Sequence, residues 1–396
     1  MKQKTSAVNQ ITEGVIWKQL LLFFFPIMLG TLFQQLYNTA DAIIVGRFVG
    51  KEALACVGGS SGQLINLVVG FFVGLSSGAT VIIARYYGAK NKKELNLALH
   101  TASALAIIGS IIITVFGILL APAMLRFMNT PSNVMTGSVI YLRIYFAGIF
   151  FVFVYNIGSA ILRAMGDSKR PLYYLIVCCF INVFLDIFLV VGFNLGITGA
   201  ALATIISQFV SCIWVLSFLF GKKTIIKIRK EYLLFDKNIM KKILGLGFTP
   251  FFMSSTEGIL QVAFNRQLLL YGGDLSVSAM TILLSMSQIL SLPMEGIAQG
   301  AQPIISYNFG AKKYNRVKET IKITIKVALT YSIIGVLLME AFPQVFVSLF
   351  ANNTQLIQLS YQLLRIYIFG FIIMGAFSTF QQTYNALGCG KNAFFF

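Results

Sequence analysis

Charge is what this sequence has least of. Only 11% of its 396 residues are charged, against about 25% in ordinary soluble domains. Acids are the scarcer sign, with 13 Asp plus Glu against 31 Lys plus Arg. A soluble enzyme or a disordered chain needs more charge than this. Histidine occurs once, as His100, so a multi-histidine metal site within one chain is excluded. The five cysteines, Cys56, Cys178, Cys179, Cys212 and Cys389, form no C-x-x-C pair and fall mostly inside apolar runs. They read as small buried side chains rather than as a disulfide framework. No Walker A loop, G-x-S-x-G elbow or H-E-x-x-H pair occurs. ATP hydrolysis and these enzyme classes therefore find no support, and no cofactor is expected.

What is abundant is apolar. Hydrophobic residues make up 57% of the chain and the mean hydropathy is +0.81. Uninterrupted apolar runs of about 18 residues or more read as membrane-spanning helices. Ten are found, at 18–42, 57–84, 97–121, 136–160, 171–193, 197–220, 245–271, 276–305, 320–342 and 358–384. The first run is too long for a signal-peptide core, so it is expected to stay as an anchor.

The net charge of +18 invites a nucleic-acid reading, but the positions of the charges redirect it. Of the 31 basic residues, 25 flank alternate helix ends on one side of the membrane, the largest group lying in 222–242. Only Arg47, Lys51 and Arg126 flank the other. Basic residues stay on the cytoplasmic side. The reading is a multi-pass protein of the cell inner (plasma) membrane with a cytoplasmic N-terminus. Its basic face is drawn to anionic membrane lipids, and no nucleic-acid partner is needed.

The sequence also repeats itself. Residues 74–90 (GLSSGATVIIARYYGAK) and 296–312 (GIAQGAQPIISYNFGAK) match at eight of 17 positions, at an offset of 222. The same offset pairs Leu142-Arg143-Ile144-Tyr145 with Leu364-Arg365-Ile366-Tyr367, and Ala164 and Gly166 with Ala386 and Gly388. Pro26 and Pro250 pair with a two-residue slip. Six helices, an even number, separate the copies, so both halves insert the same way round, a known transporter plan. The expected organisation is a six-helix lobe at 1–220, a basic cytoplasmic linker at 221–244 and a second lobe at 245–396. By the repeat, that second lobe has four of an expected six helices, and the chain reads as two helices short. The glycines of the paired Gly-Ala-Lys ends, Gly88 and Gly310, are expected to end their helices as left-handed caps.

An acid within a bilayer costs at least about 2.5–3.5 kcal/mol, so it usually has a partner or a function. Gln34, Tyr37, Asn38 and Asp41 share one helix face. Asn182 and Asp186 share another at i, i+4, as do Ala200 and Thr204. At 1.5 Å per residue, Asp186 lies about 22 Å beyond Pro171 and Thr204 about 10 Å inside its helix end. All can reach the outer half of the first lobe. Two carboxylates, an amide oxygen and a hydroxyl suit a proton or a hard monovalent cation. A structural polar network is the alternative at this point. In the second half, Glu257, Gln261 and Asn265 form one stripe, and Gln288, Ser291, Glu295, Gln299 and Gln302 another. Glu257 falls near the midplane, where it could hold a cationic substrate; a hydrogen-bonded helix interface is the alternative. Asn156 is counted with the cavity-lining polar residues. Glu340 sits near a helix end and can reach the interface. Pro26 interrupts the first helix and is expected to act as a hinge.

Pro26, Asn38 and Asp41, the paired Gly-Ala-Lys ends, Ala-Met-Gly-Asp at 164–167, Asn182-x-x-x-Asp186, Ala200 and Thr204 together resemble the multidrug and toxic-compound extrusion (MATE) family. The resemblance extends over essentially the whole chain and is nearest to the bacterial drug exporters. It implies an all-α membrane protein of two pseudo-symmetric lobes around a central cavity. It implies antiport: amphipathic, often cationic small molecules leave as protons or sodium enter. It implies coupling-cation binding at Asp41, Asn182, Asp186 and Thr204, sodium included, with the carbonyl of Ala200. Some branches use a seventh-helix glutamate, near Glu257. A monomer is expected. The alternatives are a lipid-linked oligosaccharide flippase of the same superfamily and a non-transporting membrane fragment.

Overall fold

The computed structural model describes residues 11–221, 236–348, 350 and 353–395, apart from the side chains of residues 254, 257, 259, 262, 394 and 395. The basic residues of 222–230, part of the expected linker, lie outside the described residues. Among the described residues the chain is helical and without strands. The helices are α1 (Ile16–Phe48), α2 (Lys51–Gly58), α3 (Ser60–Gly88), α4 (Lys92–Phe127), α5 (Ser132–Ala164), α6 (Lys169–Asp186), α7 (Gly196–Phe220) and α8 (Lys237–Gly310). There follow α9 (Tyr314–Ala341), α10 (Pro343–Ser348), α11 (Thr354–Tyr367), α12 (Gly370–Ala386) and α13 (Gly390–Phe395). A π-helix, Ile187–Gly192, continues directly from α6.

Among the described residues, eight helices are long and apolar enough to cross a bilayer, or nine if α11 and α12, bent by 49°, make one span. The count falls below the expected ten because α8 runs 74 residues. A straight helix of that length would measure about 110 Å, several times the ~30 Å hydrocarbon layer. Gly273, at φ 62° and ψ −167°, breaks it, at the boundary expected between the runs 245–271 and 276–305. A Cβ at this φ would be strained, so glycine is required.

By its internal contacts the chain forms two compact units, Leu29–Phe251, and Met1–Met28 with Phe252–Phe396. Both divisions fall inside helices, three residues past Pro26 in α1 and two past Pro250 in α8. The units thus differ from the expected lobes 1–220 and 245–396 by the first 28 residues and by 245–251.

In the middle unit, Leu29–Phe251, α5 is the central helix, packed against α3, α4 and α7. Phe72 of α3 and Phe153 of α5 are fully enclosed and stack with ring centroids 3.9 Å apart. Small residues let the helices close. A Cβ at Gly148 would run into Ile205 of α7, one at Gly158 would come within 2.8 Å of Val215, and one at Gly247 within 2.8 Å of the Gly74 carbonyl. Such stripes suit a lipid environment, where close packing rather than water exclusion holds helices together. The outward faces stay apolar: Ile111, Ile112, Val115, Phe116 and Leu119 of α4 are all exposed.

In the end unit, Gly296 and Gly300 of α8 sit against Phe24 of α1, and Gly375 of α12 packs on Ser332 and Ala328 of α9. The segment before α1 is tied down by side chains from the start of α9 and the end of α8. Arg316 donates to the carbonyls of Gly14 (2.7 Å) and Ile11 (3.3 Å), Lys313 to that of Thr12 (3.1 Å), and Asn308 to that of Ile11 (3.4 Å).

The repeat is visible in the backbone of each unit. α3 ends with Lys90 left-handed at φ 53°, its N–H bonding to Tyr87 and that of Asn91 to Tyr86. At the same offset of 222, α8 ends with Lys312 at φ 58°, bonded to Phe309, and Lys313 bonded to Asn308. This is the paired 5→2 and 6→1 bonding of a Schellman cap. The expectation for Gly88 and Gly310 is corrected here: both are still helical, and lysine takes the left-handed position. After α5 and α12 glycine does take it, Gly166 at φ 93° and Gly388 at φ 82°.

Candidate functional site

Asp41 on α1, Asn182 and Asp186 on α6, and Ala200 and Thr204 on α7 all lie in the middle unit. Asp41 is 8% exposed, Asn182 1% and Asp186 0%. Ala200 and Thr204 are buried too, and the Thr204 hydroxyl donates to the Ala200 carbonyl at 3.1 Å. Asp41 and Asp186 lie within electrostatic reach of each other. Among the described residues neither carboxylate joins an ion pair; those present are Asp167 with Arg170 and Glu340 with Arg365. The Oδ1 of Asp41, both oxygens of Asp186, and both Oδ1 and Nδ2 of Asn182 have no hydrogen-bond partner in the protein.

Two buried carboxylates without a counter-charge are not a stable arrangement by themselves. Burying one ion costs several kcal/mol even after relaxation. A proton or a shared cation would satisfy such carboxylates, and their oxygens with that of Asn182 are of the hard-ligand type. The Thr204 hydroxyl spends its hydrogen on the Ala200 carbonyl but keeps its own lone pairs.

The first-helix stripe divides at Asp41. Gln34 and Asn38 are exposed and Tyr37 is half-buried, so only the acid is enclosed. Asn156 is half-buried and donates to the Val152 carbonyl of its own helix at 2.8 Å. The second-half candidates lie in the end unit. Gln261 and Glu295 are exposed on α8, while the side chain of Glu257 lies outside the described residues. Glu340 pairs with Arg365 at 3.4 Å, and Arg365 in turn lies over the Tyr361 ring at 5.0 Å. That accounts for its place in the membrane without a transport role.

Two features escape a reading of the sequence. Tyr141 and Tyr145 of α5 are buried and sit within electrostatic reach of the acids or of Tyr37. Their i, i+4 spacing puts them on one helix face, the one signal that could have marked them. The other is the π-helix beginning at Ile187, directly after Asp186. Here the Phe193 N–H reaches back five residues to the Phe188 carbonyl at 3.0 Å. Such wide turns recur at functional sites, and no hydrophobic period announces them.

The pattern that defines the MatE family matches residues 26–188 and 251–396, most of the chain. The chain belongs to the MatE family. Among its relatives is the probable multidrug resistance protein YoeA of Bacillus subtilis, 28% identical over 98% of this chain and 84% of that protein. Another is the multidrug export protein MepA of Staphylococcus aureus, 23% identical over 98% of this chain and 86% of that protein. Of solved structures, MATE in the bent conformation superposes with a TM-score of 0.93, at 24% identity, covering 99% of this chain and 87% of that one. This MatE protein is therefore an all-α, multi-pass membrane protein with the fold of those structures.

Proposed function

We propose that this MatE protein is a secondary active transporter that exports amphipathic, often cationic small molecules in exchange for inward-moving protons or sodium. The observation that carries the reading is the enclosed pair Asp41 and Asp186, which has no ion-pair partner among the described residues. The names of the relatives, multidrug resistance and multidrug export, support drug-like cargo for this chain. Asn182, Thr204 and the Ala200 carbonyl complete the proposed ion site. Pro26 is the proposed hinge, since a unit boundary falls three residues beyond it. Gln34, Tyr37, Asn38, Asn156, Glu257, Gln261 and Glu295 are proposed substrate contacts. The proposed lobes are 1–220 and 245–396. The charge asymmetry supports a cytoplasmic N-terminus in the inner membrane.

Moving one charge through 100 mV supplies about 2.3 kcal/mol, enough for a roughly 50-fold cargo gradient. The test is efflux of a fluorescent organic cation from vesicles under an imposed pH or sodium gradient. Efflux should follow one of the gradients in the wild type and lose that dependence in Asp41→Asn. Full gradient-driven efflux by Asp41→Asn would overturn the reading.

A further inference from the structure

Below the acid pair, the middle unit holds a line of buried polar groups that ion binding does not require. On α6 the face carrying Asp186 and Asn182 continues at four-residue steps to Cys178 and Tyr174, about 18 Å along the helix. On α7, which runs the other way, Thr204, Ser207, Gln208 and Ser211 lie on the matching face. The two rows meet: Ser211 donates to the Tyr174 carbonyl at 3.3 Å, and Cys178 sits beside Ser207 and Ser211. α5 closes the third side. Tyr155 lies close to Cys178, Tyr174 and Ser159, and its hydroxyl donates to the Pro171 carbonyl at 3.0 Å, where α6 begins. Tyr37 of α1 stands within reach of both Asp41 and Cys178, linking the acids to the row.

All of these groups are enclosed, apart from the half-buried Tyr37. Asn182 and Gln208 each keep a buried polar atom without a protein partner. In an apolar surround, unmet groups of this kind are costly and are met by internal water. The row carries no carboxylate below Asp186, and a thiol is a poor partner for a hard cation. Hydroxyls, thiols and water share a different property: each can accept a proton on one side and donate one on the other.

We propose that this column, from Asn182 past Cys178, Ser207 and Ser211 to Tyr155, is the inward exit for the coupling proton, and that the coupling ion is therefore a proton rather than sodium. It rests on the reading that Asp41 and Asp186 hold that ion. The carboxyl O–H gives its proton to a water held at Asn182, whose amide orients it without relaying, and that water passes one of its own protons to the next water, thiol or hydroxyl of the file. After each group turns, the file is unchanged, one proton has left at the basic end of α6, and a carboxylate remains.

The test compares proton-driven efflux from vesicles for the wild type, Asp41→Asn, Cys178→Val with Ser211→Val, and Cys212→Val. The paired valines should slow efflux at least about tenfold while equilibrium binding of the fluorescent cation stays the same. Cys178→Ser should recover the rate lost to Cys178→Val, and Cys212→Val, off the column, should leave it unchanged. Undiminished efflux by the paired variant, with Asp41→Asn inactive, overturns the column alone. Efflux driven by sodium and not by pH overturns it too, while leaving antiport standing. Full efflux by Asp41→Asn removes the reading beneath it.

A second measurement covers misfolding of the valine variant. In D2O the S–H stretch of Cys178, assigned by its loss in Cys178→Ser, should shift to the S–D position well before that of Cys212. Equal exchange of the two thiols would overturn the proposal.

Discussion

At the scale of single residues, burial alone separates two kinds of membrane acid. Asp186 is wholly enclosed with both oxygens unmet, whereas Glu340 has Arg365 at 3.4 Å. Asp186→Asn is expected to keep the fold, since an amide fills the same space, and to cut gradient-driven efflux at least about tenfold. Glu340→Gln should leave efflux intact. Because the Arg365 side chain is 54% exposed, its loss should change stability by less than ~1 kcal/mol in a detergent melt. The sequence sets Glu340 aside by its place near a helix end but does not show its partner, since hydropathy registers the charge and not the pairing. It brought Asp41, Asn182, Asp186 and Thr204 together through helix spacing and the family resemblance. It passed over Tyr141 and Tyr145, because one aromatic pair among 14% aromatic residues carries no contrast.

At the scale of helices, the ends and the contacts decide. Lys90 and Lys312 hold a left-handed conformation that costs a side-chain residue roughly 1–2 kcal/mol. Lys312→Gly is therefore expected to stabilise the protein by about 1 kcal/mol at most, seen as a higher melting temperature, without changing transport. The glycine contacts point the other way. Gly247→Ala would put a methyl group 2.8 Å from the Gly74 carbonyl, which is backbone and cannot step aside. It should destabilise the protein by roughly 1–3 kcal/mol, seen as a lower melting temperature. Element positions were legible because each span is one long apolar run. The break at Gly273 fell where a loop was expected. The left-handed lysines were not legible, because the Gly-Ala-Lys motif offers a glycine two residues earlier and the rule for caps favours it. The π-helix was hidden for a similar reason: it shifts hydrogen bonds by one residue while leaving the run apolar.

At the scale of the whole molecule, the two compact units divide just beyond matching prolines. A proline cannot donate a helix hydrogen bond, so each dividing helix lacks one close to the boundary. Pro26→Ala is expected to lower the efflux rate while leaving ion binding at Asp41 in place, measured as turnover against affinity. Unchanged turnover would remove the hinge. The repeat foretold equivalent halves and found its counterpart in paired caps at Lys90 and Lys312 and at Gly166 and Gly388. It could not foretell that the first 28 residues belong with the second half, since which helices touch is a tertiary fact.

That attachment has a consequence for how the chain is made. Leu29–Phe251 is one continuous stretch, so it can fold while synthesis is still under way. Residues 11–14 instead bond to Asn308, Lys313 and Arg316, partners 297 to 305 positions later. At about 5–20 residues per second, those partners arrive roughly 15–60 s after the segment that awaits them. This segment is thus secured only long after it emerges.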